Sequence, residues 1–216
     1  HLQSGITQIS STDSAFAALS EEGSVVAWGN SRGGFIPRDI REALESGVTQ
    51  LFATDSAFAA LKEDGSVITW GKFGGDSSAV ASELSSGVIR IFSTRYAFAA
   101  LKANGSVVTW GNPAKGGDSS AVADQLSSGV RYIFPGASAF AAVKADGSVV
   151  TWGRDSYGGD RGLAADNLRI GVVHIFSNER AFAALKEDGS VVTWLRSDFG
   201  GGGGGGGDVS EEISSG

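Results

Sequence analysis

One short pattern runs five times through this 216-residue chain. The segment Ala57-Phe58-Ala59-Ala60-Leu61 recurs from Ala15, Ala97, Ala139 (where Val143 ends it) and Ala181. All five tryptophans occupy one position of the pattern: Trp28, Trp70, Trp110, Trp152 and Trp194, spaced by 42, 40, 42 and 42 residues. A period near 40 residues marks a repeat architecture, in which each unit buries its apolar faces only against its neighbours. Units 3–45, 46–85, 86–127, 128–169 and 170–216 account for the chain as one repeat domain. The chain opens in mid-unit without Met or a basic-then-apolar leader, and Ser214-Ser215-Gly216 matches the Ser85-Ser86-Gly87 that opens a unit. It therefore reads as a processed or truncated piece of a longer repeat protein.

Each unit reads as three short strands with outer connecting material. In the third unit these are the β-branched run Val88-Ile89-Arg90-Ile91-Phe92, then Ala97 to Lys102, then Ser106 to Trp110. Asp-Gly separates the second and third runs at 64–65, 146–147 and 188–189; Asn104-Gly105 and Glu22-Gly23 do so in the other units. Asn-Gly and Asp-Gly between apolar runs predict a hairpin, here with a two-residue type I′ turn. Phe98 and Ala100 fall on one face of the middle strand, with Ala97, Ala99 and Leu101 on the other. A strand apolar on both faces must be covered on both, and blades stacked around an axis provide that cover. The expected fold is all-β, a β-propeller of about five blades with three to four strands each, closed or part of a larger ring. The stretch Gly117 to Leu126 fits equally a short helix capped by Asp118 or Ser119, or a fourth, outermost strand.

The pattern Ser86-Gly87-Val88, Ala100-Leu101-Lys102, Asn104-Gly105-Ser106-Val107 and Trp110-Gly111 resembles the regulator-of-chromosome-condensation propeller repeat. It is more similar still to the short-blade, propeller-type β-lactamase inhibitory proteins, and to repeat arrays of marine bacteria, cyanobacteria and dinoflagellates. The resemblance implies the fold; the matching residues are packing and turn positions, so they carry no function across. Those families usually close with seven blades, whereas five are counted here. Leu195 stands where Gly71, Gly111 and Gly153 stand in other units, and eight consecutive glycines follow at 200–207. That run reads as a linker or, preferably, as a stand-in for residues of undetermined identity, because other units keep two glycines there.

The side chains that carry chemistry are sparse. Cysteine is absent, which removes disulfides, thiolate metal sites and thiol nucleophiles. His1 and His174 are the two histidines, too few for a zinc cluster, and no paired carboxylates face one another in an evident cleft. Asp76, Asp118, Asp160 and Asp208 follow Gly-Gly in four units. Calcium needs six to eight oxygens, so one carboxylate per unit is better read as a turn cap. The five tryptophans are read as packing between blades rather than as a ligand cage. No catalytic residue, metal or cofactor is expected.

A net charge of −7 argues against nucleic acid as a partner, and no apolar run is long enough to insert into a membrane. If the strands alternate in direction, the loop between the first and second shares a face with the loop after Trp. The units differ most in these two loops. The candidate contacts with a protein partner are Arg95, Tyr96, Phe73, Tyr157 and Arg180, since exposed Tyr and Arg favour binding hot spots. The expected function is a non-enzymatic protein-binding scaffold. Alternatives are an accessory subunit of a large assembly, such as a photosynthetic membrane complex, or a secreted or cell-surface adhesion or lectin-like module. An extracellular or organelle-associated location is favoured.

Overall fold

The computed structural model describes residues 5–30 and 35–194. Leu195, Asp208 and the glycine run at 200–207 lie outside them. Fifteen strands form five three-stranded antiparallel sheets, each in chain order and without crossovers. The first sheet holds β1 (Ile6–Ser11), β2 (Ala15–Ser20) and β3 (Val25–Gly29); the second holds β4 (Val48–Ala53), β5 (Ala57–Lys62) and β6 (Val67–Gly71). The third holds β7 (Val88–Ser93), β8 (Ala97–Lys102) and β9 (Val107–Gly111). The fourth holds β10 (Val130–Pro135), β11 (Ala139–Lys144) and β12 (Val149–Gly153), and the fifth β13 (Val172–Ser177), β14 (Phe182–Lys186) and β15 (Val191–Trp194). This is an all-β propeller array of five three-stranded blades. The first strands of consecutive sheets lie against one another, and the third strands form the outer rim.

The apolar character of both strand faces explains the stacking. Between the second and third sheets, Ala57, Ala59 and Leu61 of β5 meet Phe98 and Ala100 of β8 and Trp110 of β9. The same sets recur at the other three interfaces between consecutive sheets. Phe58, Phe98 and Phe140 are fully buried, and each stacks on the tryptophan opposite it in its own sheet at 5.1 to 5.2 Å. Alanine on the receiving face lets the sheets approach closely enough for these rings to fill the gap. Among the described residues no such cluster joins the first sheet to the fifth. Phe16, at the position of Phe98, is 46% exposed, and Val26 beside it is also exposed.

The hairpin differs from the expected type I′ turn. Gly65 N–H donates to Lys62 O and Lys62 N–H to Ser66 O, so three residues form the loop. Gly65 has φ +75°, whereas Asp64 is not left-handed. The turn is type I followed by a left-handed glycine, the three-residue form, and Gly23, Gly105, Gly147 and Gly189 repeat it. Asp64 serves another purpose: its Oδ1 accepts the Ser66 N–H at 2.9 Å and the Ser66 hydroxyl at 2.6 Å. Glycine is required twice over at position 65, because a Cβ there would stand 2.8 Å from the Gly87 backbone nitrogen of the next sheet.

The outer segment is not a fourth strand. It forms 3-10 turns at Glu42–Leu44, Ser78–Val80, Ser120–Val122 and Gly162–Ala164, extended in the third unit by the helix α1 (Ala123–Leu126). Leu44, Leu84, Leu126 and Leu168 anchor these segments in the core. Asp76, Asp118 and Asp160 each accept a backbone N–H two residues on, closing the turn. The lysine ending the middle strand of the second to fifth sheets ties down the outer segment of the unit before it: Lys62 donates to Ala43 O, Lys102 to Glu83 O, Lys144 to Gln125 O and Lys186 to Asn167 O.

Candidate functional site

The loops between first and second strands converge at one end of the array and are joined there by a backbone ladder. Asp13 N–H donates to Asp55 O at 2.9 Å, Asp55 N–H to Arg95 O at 2.9 Å, and Arg95 N–H to Ala137 O at 3.2 Å. Each step is one repeat unit, so equivalent residues of four blades form a continuous chain of hydrogen bonds. Within a loop the turn is held by a side chain. Thr54 Oγ1 accepts from Ser56 and Ala57, Thr94 Oγ1 from Tyr96 and Ala97, and Asn178 Oδ1 from Arg180 and Ala181. This fixes the backbone while leaving the next two side chains free to differ, as Asp55-Ser56, Arg95-Tyr96 and Glu179-Arg180 do.

The loops surround a polar depression of about 390 Å³, lined among others by Thr12, Asp13, Thr54, Asp55, Thr94 and Arg95. Arg95 Nη1 lies 3.8 Å from Glu179 Oε1, linking the loops of the third and fifth blades, with both side chains more than half exposed. An ion pair in that setting contributes at most about 1 kcal/mol. Burial and the neighbouring Asp13 charge push the Asp55 carboxyl above its ordinary value, opposed by Arg95 and Lys115.

The loop after each tryptophan shares this face: Lys72 N–H donates to Ser56 O, Asn112 N–H to Tyr96 O and Arg154 N–H to Ser138 O. The sequence-selected residues fall as follows. Arg95 sits in the ladder, and Arg180 is exposed beside Glu179. Tyr96 is half-buried under Lys115, whose Nζ stands 3.4 Å from the ring centroid. Phe73 is 70% exposed and held at φ +53°, with the Lys72 ammonium 4.6 Å from its ring. Tyr157 is half-buried against the fourth interface cluster, with Arg154 over its ring at 4.9 Å. Arg95 and Tyr96 form one group with Lys115, Glu179 and Arg180; Phe73 and Tyr157 lie in the outer loops of other blades. Asp13, Asp55, Lys115 and Glu179 were not selected from the sequence. The one available signal was that 13, 55, 95, 137 and 179 occupy the same position in successive units.

Four of the five repeated tryptophans, Trp70, Trp110, Trp152 and Trp194, are buried between blades, and Trp28 is partly buried. Among the described residues, no three His, Asp or Glu side chains are grouped so as to hold a metal ion, and no helix is long and apolar enough to cross a membrane.

No protein-family model and no curated protein matches the chain. Solved structures do. Saccharomyces cerevisiae RCC1 (Prp20), bound to Kap60, matches with TM-score 0.56 at 20% identity over 89% of this chain and 56% of its own. The ectodomain of the Physcomitrella patens receptor kinase CR4 matches with TM-score 0.53 at 18% identity, over 88% of this chain and 51% of its own. The Arabidopsis thaliana receptor kinase ACR4 ectodomain matches with TM-score 0.54 at 18% identity, over 93% and 71%. The chain thus spans about half the length of the first two. What this chain has in common with all three is the fold, antiparallel sheets stacked as propeller blades.

Proposed function

We propose that this chain is a non-enzymatic, protein-binding propeller that presents the loops of one face to its partner. The observation that carries the reading is the backbone ladder through residues 13, 55, 95 and 137, which holds loops of differing side chains in a common frame. The opposite face repeats the same hairpin and Ser-Gly turn from unit to unit. A rigid frame carrying varied loops is how folds commonly display binding residues. Arg95, Tyr96 and Arg180 form the centre of the contact, with Phe73 and Tyr157 at its periphery. The yeast propeller that shares the fold has been studied bound to Kap60 and for its binding to Gsp1p and histones, which supports a protein as ligand class. The three-stranded blade also suits the resemblance to the short-blade inhibitory propellers.

The test is capture from an extract of the producing cells on immobilised protein, comparing the parent with the Arg95→Ala/Tyr96→Ala double variant. Asp64→Asn on the opposite face serves as control. A defined protein retained by parent and control and lost from the double variant is the expected result. Equal retention by all three, or retention of glycans alone, overturns the reading.

A further inference from the structure

Charge is divided unevenly between the two ends of the array. The five hairpin turns, at 21–23, 63–65, 103–105, 145–147 and 187–189, carry seven carboxylates, all exposed, and no cation. The lysines that precede four of these turns are folded back onto carbonyls of the outer segments. On the loop face the balance is reversed. Its described loops hold five cations, Lys72, Arg95, Lys115, Arg154 and Arg180, against four carboxylates, Asp13, Asp55, Asp155 and Glu179. The excess negative charge of the described residues therefore lies on the other surfaces.

Three of the five cations are held in the same way. Lys72 Nζ stands 4.6 Å from the centroid of the Phe73 ring, Lys115 Nζ 3.4 Å from that of Tyr96, and the Arg154 guanidinium 4.9 Å from that of Tyr157. Each pair belongs to the loops of one blade, in the second, third and fourth sheets in turn. None of the three cations forms an ion pair with a described carboxylate; the one such pair on this face takes Arg95. Lys115 also helps Arg95 to offset the Asp55 charge. Asp13 and Asp55 line the depression, whereas Lys72, Lys115 and Arg154 stand outside it. A ring face attracts a cation and steadies its long stem without neutralising it. The charge is thus left available to an anion, and less ordering remains for the ligand to impose.

We propose, on the reading of the loop face as the contact surface, that the partner protein meets it with an acidic, extended segment whose carboxylates are taken one per blade by Lys72, Lys115 and Arg154. Sheets packed face to face stand about 10 Å apart, and an extended chain advances about 3.3 Å per residue. Carboxylates at every third or fourth residue therefore match the spacing of successive blades. Arg154 can take its carboxylate in bidentate form, the two lysines as point charges. The polarity of the array also orients the encounter. An acidic segment is repelled by the hairpin end and drawn to the loop end, a steering effect that weakens as salt rises.

The probe is a labelled twelve-residue peptide of the repeat Glu-Ser-Gly, titrated against the full chain by fluorescence anisotropy. Binding is expected, weakening as salt rises, with the Lys-Ser-Gly analogue at least tenfold weaker. The Lys72→Gln/Lys115→Gln/Arg154→Gln variant should lose at least tenfold in affinity. Arg38→Gln/Arg41→Gln/Arg169→Gln removes the same charge from exposed positions off the loop face and should bind the peptide unchanged. Urea midpoints of both triple variants check that each is folded. No binding at millimolar peptide, equal loss in the two triple variants, or tighter binding of a sulfated polysaccharide than of the peptide overturns the proposal. A protein captured through Arg95 and Tyr96 yet still retained by the Lys72→Gln/Lys115→Gln/Arg154→Gln variant overturns it as well, while leaving the loop face as the contact surface.

Discussion

Trp110 and Trp152 occupy one position of neighbouring units, yet their indole N–H groups have different fates. Trp152 Nε1 donates to Gly116 O at 3.1 Å, and Trp194 repeats the bond to Gly158 O. The loop that would reach Trp110 runs from Lys72 to Gly75 and is two residues shorter than its counterparts, which is why one tryptophan spacing is 40 and not 42. Trp110 Nε1 is buried without a partner among the described residues. Trp152→Phe should therefore cost about 1–2 kcal/mol more than Trp110→Phe in urea unfolding, the value of a made bond against a lost one. The turn aspartates behave as a set. Hydrogen bonds from the serine two residues on hold Asp64, Asp146 and Asp188 below the ordinary 3.8. The folded chain thus binds those protons more weakly than the unfolded chain. Their stabilisation is present above about pH 4 and fades as pH falls through the lower folded-state values. Asn104 accepts the same two bonds in the third unit without titrating. The triple Asp→Asn variant at 64, 146 and 188 should flatten the loss of stability below about pH 4, measured as urea midpoint against pH; an unchanged acid slope would assign that loss elsewhere.

At the scale of elements, the hairpin tests how far local signals reach. Asp-Gly marked the turn correctly in place, but the loop is three residues with one left-handed glycine, because the Ser side of the loop closes on the lysine rather than on the residue before the turn. What the dipeptide could not report is the neighbour. A Cβ on Gly147 would stand 2.7 Å from Gly171 N, while one on Gly189, at the same place in the last unit, meets nothing within 4 Å among the described residues. Gly189→Ala should cost only the strain of a left-handed alanine, about 1–2 kcal/mol. Gly147→Ala adds displacement of the next sheet and should cost at least twice that by thermal or chemical unfolding. The outer segment was undecided between helix and strand for a physical reason: Ala, Val and Leu at short range suit both. The side-chain caps at Asp76, Asp118 and Asp160, and the burial of one leucine per unit, resolve it as turns.

On the scale of the whole molecule, stability is a sum over units and the interfaces between them. Phe98 lies inside an interface and Phe16, its counterpart, on the open face of the first sheet. Phe98→Ala should cost about 3–5 kcal/mol, and Phe16→Ala less than half of that, read from the urea midpoint. Equal costs would mean that the first sheet is covered in solution. The sequence by itself determined the number of units, the strands and the two apolar faces of each blade, because these follow from short-range periodicity and residue type. Its candidate contacts, Arg95, Tyr96, Phe73, Tyr157 and Arg180, came from variation between units, which marks a loop but not its surroundings. Only the tertiary structure decided that Asp13, Asp55, Arg95 and Ala137 join in one ladder and that Glu179 reaches Arg95. Those contacts connect residues a full unit or more apart, and they depend on the angle and separation at which rigid sheets stack, which no local pattern encodes.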